Sequence, residues 1–333
     1  MVTGGRSGLI TEIIRKSALG YVECLVLGMG RTIIHVGMPR AASTFFQRAL
    51  FPYVSGFRYV GVDESQYSDH FQKLLYQDDS LYDSALVAAA FADARNENLL
   101  LSNELFVGQS LYLNSTNRTR NAVRLFAIFP DAEILIVLRN QVDLLQSLYS
   151  IGIYSGHSMS PKAFIRFSDD PSTSENPRYP TFHPSESTEI YNYSELIKLY
   201  KKHFPKVYVV LYEDFAADPK AFTLRLLSVL NMTISREIPF SEKVNRSLSA
   251  RQLYFFKILN RWKPFINRGK FGKRIFGTKQ RFVEKRMGGG KGFAFTPALR
   301  EKIQNTFKAD NKLLIGQVPE LDGNEYFKRK YLS

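Results

Sequence analysis

The chain has 333 residues, with 45 Lys and Arg against 31 Asp and Glu and a formal net charge of +14, a field that attracts anionic partners without specifying a fold. At 44% hydrophobic and 14% aromatic residues it can bury a large core, which excludes a disordered or collagenous chain. One cysteine, Cys24, excludes an intrachain disulfide framework and a cysteine-rich metal site, and no apolar run approaches the roughly 20 residues of a membrane-spanning helix.

Residues 1–30 carry Glu12, Arg15, Lys16 and Glu23 among apolar side chains, which interrupts the apolar core that a secretory signal needs. They read as an N-terminal extension. With the lone cysteine, this gives a cytoplasmic expectation, free or at a membrane periphery. Asn-x-Ser/Thr sites at Asn114, Asn117, Asn192, Asn231 and Asn245 matter only in a secretory compartment.

From residue 31 onward, apolar β-branched runs alternate with helical patterns. Strands are predicted at 32–36, 57–62, 99–101, 134–138 and 207–212. Helices are predicted at 43–50, 80–96, 119–129, 142–151, 193–203, 219–230 and 297–314. Short, almost wholly apolar strands alternating with helices predict an α/β protein: a three-layer, P-loop-like fold with a central parallel sheet flanked by helices. Two stretches break the rhythm. The Pro- and Ser-rich segment 155–189 is too long for an ordinary connection and reads as a loop over a site. The segment 261–296 is also irregular; its part 261–291 carries eleven Lys and Arg against the single Glu284, interleaved with aromatics and glycines, and reads as an anion-binding surface. No linker is visible, so 31–333 reads as one elaborated domain.

Two strand–loop–helix units carry the chemistry. The first is "IIHVGMPRAASTFFQRALFP" at 33–52. Laid over the phosphate-loop pattern from Gly37, Ala42 replaces the second glycine, Ser43 replaces the lysine, and Thr44 keeps the hydroxyl. Backbone N–H groups at the helix start still bind anionic oxygens, and Arg40 supplies a guanidinium that can fork onto a phosphate. Without the lysine, and with Arg139 instead of a carboxylate at the end of strand 134–138, the loop suits a phosphate bound without a metal. The second unit is "EILIVLRNQVDLLQSLYS" at 133–150. It places Arg139 at the strand's carboxyl end and Ser147 on the next helix, a second phosphate grip distant from the first, at the edge where such sheets bind ligands. Two grips without a metal imply a nucleotide with phosphates at both ends of its ribose.

In these residues the chain resembles the sulfotransferases that use 3′-phosphoadenosine 5′-phosphosulfate (PAPS). "MPRAASTF" is similar to their 5′-phosphosulfate loop, and "LRNQVDLLQS" to their 3′-phosphate motif, an Arg followed eight residues later by a Ser. The stretch 193–219 resembles the carbohydrate branch, "VNRSLS" at 244–249 the bacterial-type members, and 288–314 the glycine–lysine loop and final helix. Ala42 for Gly, Ala41 for a hydroxyl residue, and Phe293 for a polar or basic residue depart from the pattern. The resemblance implies one sulfotransferase domain over 31–333. It would transfer a sulfuryl group from PAPS to a hydroxyl of a carbohydrate or glycoconjugate, release adenosine 3′,5′-bisphosphate, and require no metal. It places Arg40 on the phosphosulfate with Ala41, Ala42, Ser43, Thr44 and Phe45 lining that end. Arg139 and Ser147 would hold the 3′-phosphate, covered by Lys291 and Gly292. The partners implied are a glycan or glycolipid acceptor and an anionic membrane surface; nucleic acid is not expected.

The acceptor hydroxyl needs a base near the loop. Glu104 follows the strand 99–101, and Asp63-Glu64 follows the strand 57–62, where heparan-type sulfotransferases carry their catalytic glutamate. Glu104 and Glu64 both stand as catalytic candidates. The cytosolic small-molecule branch uses a histidine; of His35, His70 and His157, the first lies inside a strand and reads as core, the others on loops. Glu213-Asp214 reads as structural. Two rivals remain: a P-loop small-molecule kinase, disfavoured by Ser43 at the lysine position, and a non-enzymatic protein that binds anionic polymers or membrane surfaces through 261–291.

Overall fold

The computed structural model describes residues 30–61, 65–108, 117–165, 167, 188–240, 248–266 and 292–332. Its sheet has five strands, β1 (Thr32–His35), β2 (Arg58–Val60), β3 (Leu99–Ser102), β4 (Glu133–Leu138) and β5 (Lys206–Leu211). They lie in the order β2-β3-β1-β4-β5, every neighbouring pair parallel. The register aligns Ile34 with Leu101 on one side and Ile134 on the other. Leu99–Leu101 and Ile134–Leu138 are buried without exception, as strands covered on both faces must be. Edge strand β5 is only half-buried over Val207–Val210. At the amino edge, Glu133 accepts from Arg31 through both carboxylate oxygens, at 2.7 and 2.8 Å, and from the Tyr208 hydroxyl at 2.6 Å. That forked pair ties β1, β4 and β5 together and leaves the carboxyl edge for the site.

The helices, in chain order, are α1 (Ser43–Phe45, continuing as a π-helical turn Phe46–Leu50), α2 (Ser65–Tyr76), α3 (Ser84–Ala90), α4 (Arg118–Ile128), α5 (Gln141–Tyr154) and α6 (Pro161–Phe164). Then follow α7 (Tyr193–His203), α8 (Tyr212–Ala217), α9 (Pro219–Val229), α10 (Ala250–Ile266), α11 (Pro297–Gln317) and α12 (Glu325–Tyr331). Short polar residues start them: the side chains of Asp83, Asn117, Asn140, Asp218, Thr296 and Asn324 accept from backbone N–H groups of the first turn. Pro219 and Pro297 occupy first helical positions, where no N–H is needed. α11 packs on α5 and α7, and α10 on α5.

All five strands lie where the apolar runs put them, each end within two residues of the expectation. The helix expected over 80–96 is shorter, because Asp83 caps it and Phe91 ends it. Five helices, α2, α6, α8, α10 and α12, were not expected; α6 lies within the segment 155–189 that reads as a loop. α2 buries Tyr67, Phe71, Leu74 and Leu75, a helical spacing hidden by the polar run around it. His70 therefore lies on a helix and not on a loop. α10 buries Leu253 and Phe256 but leaves Tyr254, Phe255 and Ile258 exposed, so its apolar residues lie on both faces and blur the period.

Candidate functional site

β1 ends in a tight loop. Gly37 has φ +67°, and a Cβ there would lie 3.3 Å from both the Glu104 Cα and the His35 Cε1. The position demands a left-handed backbone and close approach together, which is the case for glycine. Arg40 (φ 68°) and Ala42 (φ 63°) are also left-handed, without being glycine. The loop folds on itself: the Ala41 N–H (3.1 Å) and the Ser43 hydroxyl (3.2 Å) donate to the Met38 carbonyl. The Ala42 carbonyl accepts from the N–H groups of Phe45 at 2.9 Å and Phe46 at 3.2 Å. Left-handed residues alternating with others turn successive N–H groups to one side, a concavity suited to an anionic oxygen, at the start of a helix. Two such non-glycine residues within three positions concentrate strain where it is tolerated for function.

Ala42 thus stands in the conformation that explains a glycine in the usual pattern. Ala42→Gly removes left-handed strain of about 1–2 kcal/mol, partly offset by the greater unfolded freedom of glycine, about 0.5–1 kcal/mol. The net expectation is a gain of roughly 0.5–1 kcal/mol in urea unfolding. A loss of stability would contradict the strain.

Arg139 stands at the tip of β4. Its Nη1 donates to the Arg40 carbonyl at 2.6 Å, its guanidinium lies 4.4 Å from the centre of the Tyr212 ring, and its Nε is buried with no hydrogen-bond partner among the described residues. On α5, Ser147 Oγ accepts from Arg40 Nε at 3.0 Å. The two grips therefore form one cluster in the structure, where the sequence suggested two separate anchors. The sheet order accounts for it: β1 and β4 are neighbours, so their carboxyl ends are about 5 Å apart.

The corner that aims Arg139 is rigid. The Tyr193 hydroxyl donates to the Arg139 carbonyl at 2.6 Å. Asn140 caps α5, donates its N–H to Glu213 Oε1 at 2.8 Å, and donates its side-chain amide to the Lys330 carbonyl. Glu213 also accepts from the Tyr331 hydroxyl at 2.9 Å. Burial pushes the Glu213 carboxyl above its ordinary range, against the hydrogen bonds that favour its charge.

Glu104 opens the turn after β3, with Asn103 accepting from the Leu105 N–H at 2.9 Å. Its Oε2 accepts from Gln47 Nε2 at 3.1 Å. The same nitrogen lies 3.2 Å from Ser102 Oγ, which lies 2.7 Å from His35 Nδ1. His35 is fully buried, edge-on to Phe46 and Phe51 at 5.5 and 5.2 Å. Burial pushes its imidazole down to about 3, so the ring is neutral. It is a core residue, as its place in the strand suggested. Sequence reasoning missed Gln47; the signal was an amide inside the otherwise apolar and basic run 45–51.

His35 makes the protein acid-sensitive. Its pKa is lower folded (about 3) than unfolded (about 6.5), so the unfolded chain binds the proton first as pH falls. Its contribution is fully present above about pH 6.5 and is lost towards pH 3, at up to about 1.4 kcal/mol per pH unit. His35→Phe should cost about 1 kcal/mol at pH 7 by losing the Ser102 contact, and its stability should overtake that of the unmodified protein between about pH 6 and pH 5. Parallel stability curves between pH 7 and 5 would contradict this.

Glu64 and Lys291 lie outside the described residues. Gly292 pairs antiparallel with Ser249. Beyond it, Phe293 packs on Tyr149 at 5.3 Å and the Phe295 N–H donates to Gln146 Oε1 at 3.0 Å. The chain after Gly292 thus runs against α5, beside Ser147. Of the other histidines, His70 lies against Phe91, and the His157 carbonyl accepts from Asn260.

A family model described as a sulfotransferase domain matches residues 32–317. The crystal structure of a sulfotransferase from Alicyclobacillus acidocaldarius matches with 17% identity and a TM-score of 0.43, over 76% of this chain and 99% of that one. No curated protein matches the chain.

Proposed function

Because the chain belongs to the sulfotransferase domain family, we propose that it moves a sulfuryl group from PAPS to a hydroxyl of a carbohydrate or glycoconjugate. The enzyme is a sulfotransferase; donor and acceptor are the proposal. The observation that carries the donor is the cluster of Arg40, Arg139 and Ser147 at the carboxyl ends of β1 and β4. Arg139 Nε, buried without a partner among the described residues, is a donor that fits a phosphate oxygen. PAPS supplies the sulfuryl group and leaves as adenosine 3′,5′-bisphosphate. Arg40, the N–H groups of Ala42, Ser43 and Thr44 and the Thr44 hydroxyl would hold the 5′ end and the charge that collects on the leaving phosphate, with Ala41 and Phe45, whose own N–H groups close the loop on Met38 and Ala42, lining that end. Arg139 and Ser147 would hold the 3′-phosphate, and Lys291 and Gly292 would cover it. We assign the base to Glu104, the carboxylate beside Gly37, which takes the acceptor hydroxyl's proton as the oxygen bonds to sulfur.

The carbohydrate acceptor is supported by the resemblance of 193–219 to the carbohydrate branch. We take 31–333 as one domain, with 155–189 over the acceptor and 261–296 closing on the donor. Contact of α12 with Asn140 and Glu213 supports the single unit. Incubation with PAPS labelled in its sulfuryl group and a panel of glycans should label a glycan. Transfer of label only from the terminal phosphate of ATP would establish the kinase instead.

An anionic membrane surface as partner is favoured by α10. Its sequence holds no acidic residue, and Tyr254, Phe255 and Ile258 are exposed on it together with Arg251 and Arg261. The full chain should sediment with vesicles containing anionic phosphatidylglycerol and not with neutral phosphatidylcholine vesicles. Equal behaviour with both would remove this partner.

A further inference from the structure

Gln47 occupies a junction that neither the donor grip nor the base accounts for. It belongs to the π-helical turn that continues α1, the kind of local irregularity that re-aims side chains near sites. Its amide nitrogen carries two hydrogens, and two acceptors lie within reach, Glu104 Oε2 at 3.1 Å and Ser102 Oγ at 3.2 Å. Ser102 is fully buried and cannot turn away, because its Oγ is also 2.7 Å from His35 Nδ1. The donor directions are self-consistent. With the His35 tautomer that accepts at Nδ1, the Ser102 hydroxyl donates to the ring and the Ser102 oxygen accepts from Gln47, whose second hydrogen goes to the carboxylate.

We propose that Gln47 is the positioning residue of this enzyme's base: anchored on Ser102, it aims the Glu104 carboxylate at the phosphate loop beside Gly37. The proposal rests on the reading of Glu104 as base. One side chain then joins the two halves of the reaction. Gln47 lies three residues beyond Thr44, on the segment that starts at the anion-binding loop, and it ends on the group that accepts the acceptor's proton. In this proposal it acts through Glu104 and not on the donor or the acceptor hydroxyl itself. Its donor bond favours the ionised carboxylate, the form a base needs.

Steady-state kinetics of the full chain with PAPS and an unsulfated glycan that takes label in the panel above tests this. Gln47→Leu keeps the volume and removes both donors. It should lower kcat about tenfold, as expected for a hydrogen bond to a charged group, with the KM for PAPS unchanged. Gln47→Glu keeps the length and shape but sets a second carboxylate against Glu104, so it should lower kcat further, by about a hundredfold. A space-filling role predicts the opposite order, with glutamate the better replacement. Wild-type kcat in Gln47→Leu, a parallel rise in the KM for PAPS, or Gln47→Glu more active than Gln47→Leu would each overturn the proposal. If the leucine variant does not fold, Gln47→Asn, too short to span the gap, must show the same fall in kcat. Glu104→Gln measured beside them separates the two readings. An active Glu104→Gln removes the base and the proposal together; an inactive one beside a wild-type Gln47→Leu removes the proposal alone.

Discussion

Arg40→Ala should lower sulfuryl transfer by about 10³-fold or more, with little change in the thermal midpoint. The arginine is half-buried at the turn of the loop, its Nε on Ser147 and its carbonyl held by Arg139. Negative charge grows on the leaving phosphate in the transition state, so a preorganised guanidinium contributes more there than in the ground state. Removing a positioned arginine from the related phosphoryl transfer costs about 10³–10⁵ in rate. The fold should survive, because the loop's closure runs through the Met38 and Ala42 carbonyls and not through this side chain. Arg40→Lys keeps a charge but loses the fork and the Nε bond to Ser147, and should recover only part of the rate. Single-turnover rates check both, and activity within tenfold of the unmodified enzyme in Arg40→Ala would take Arg40 out of the mechanism.

Glu104→Gln should lower kcat by about 10²–10⁴, the range of general-base catalysis, while leaving donor affinity unchanged. Glutamine preserves the length of the side chain but cannot take a proton, so the effect isolates chemistry from packing. Donor affinity should hold because the assigned donor contacts lie in the loop after β1, on α1, at the tip of β4, on α5 and at 291–292, whereas Glu104 follows β3. Calorimetric titration with adenosine 3′,5′-bisphosphate beside the kcat measurement separates the two. Unchanged kcat in Glu104→Gln would return the base to Glu64, and weakened nucleotide binding would place Glu104 in the donor site.

Much of this was legible in the sequence, for identifiable reasons. Strands buried on both faces must be apolar throughout, so β3 and β4 announce themselves in "LLLS" and "EILIVL". Arg40 and Arg139 could be found because each follows such a strand at the edge where parallel sheets bind ligands. What was not legible depends on pairing across the sheet. That Arg139 reaches the Arg40 carbonyl and Ser147 holds Arg40 follows from β1 lying beside β4, which no local pattern states. Gln47 was invisible for the same reason: its partners lie 55 and 57 residues away on the neighbouring strand and its end. The oddity of Ala42 was visible, but its meaning required the left-handed φ.

The central claim is that this loop holds a nucleotide with phosphates at both ends of its ribose through arginines and backbone donors, without a metal. Isothermal titration of the full chain with adenosine 3′,5′-bisphosphate in the presence of EDTA tests it most directly. Binding is expected, weakened at least tenfold by Arg139→Ala and unaffected by added Mg²⁺. Absence of binding, together with Mg²⁺-dependent binding of ATP, would contradict it.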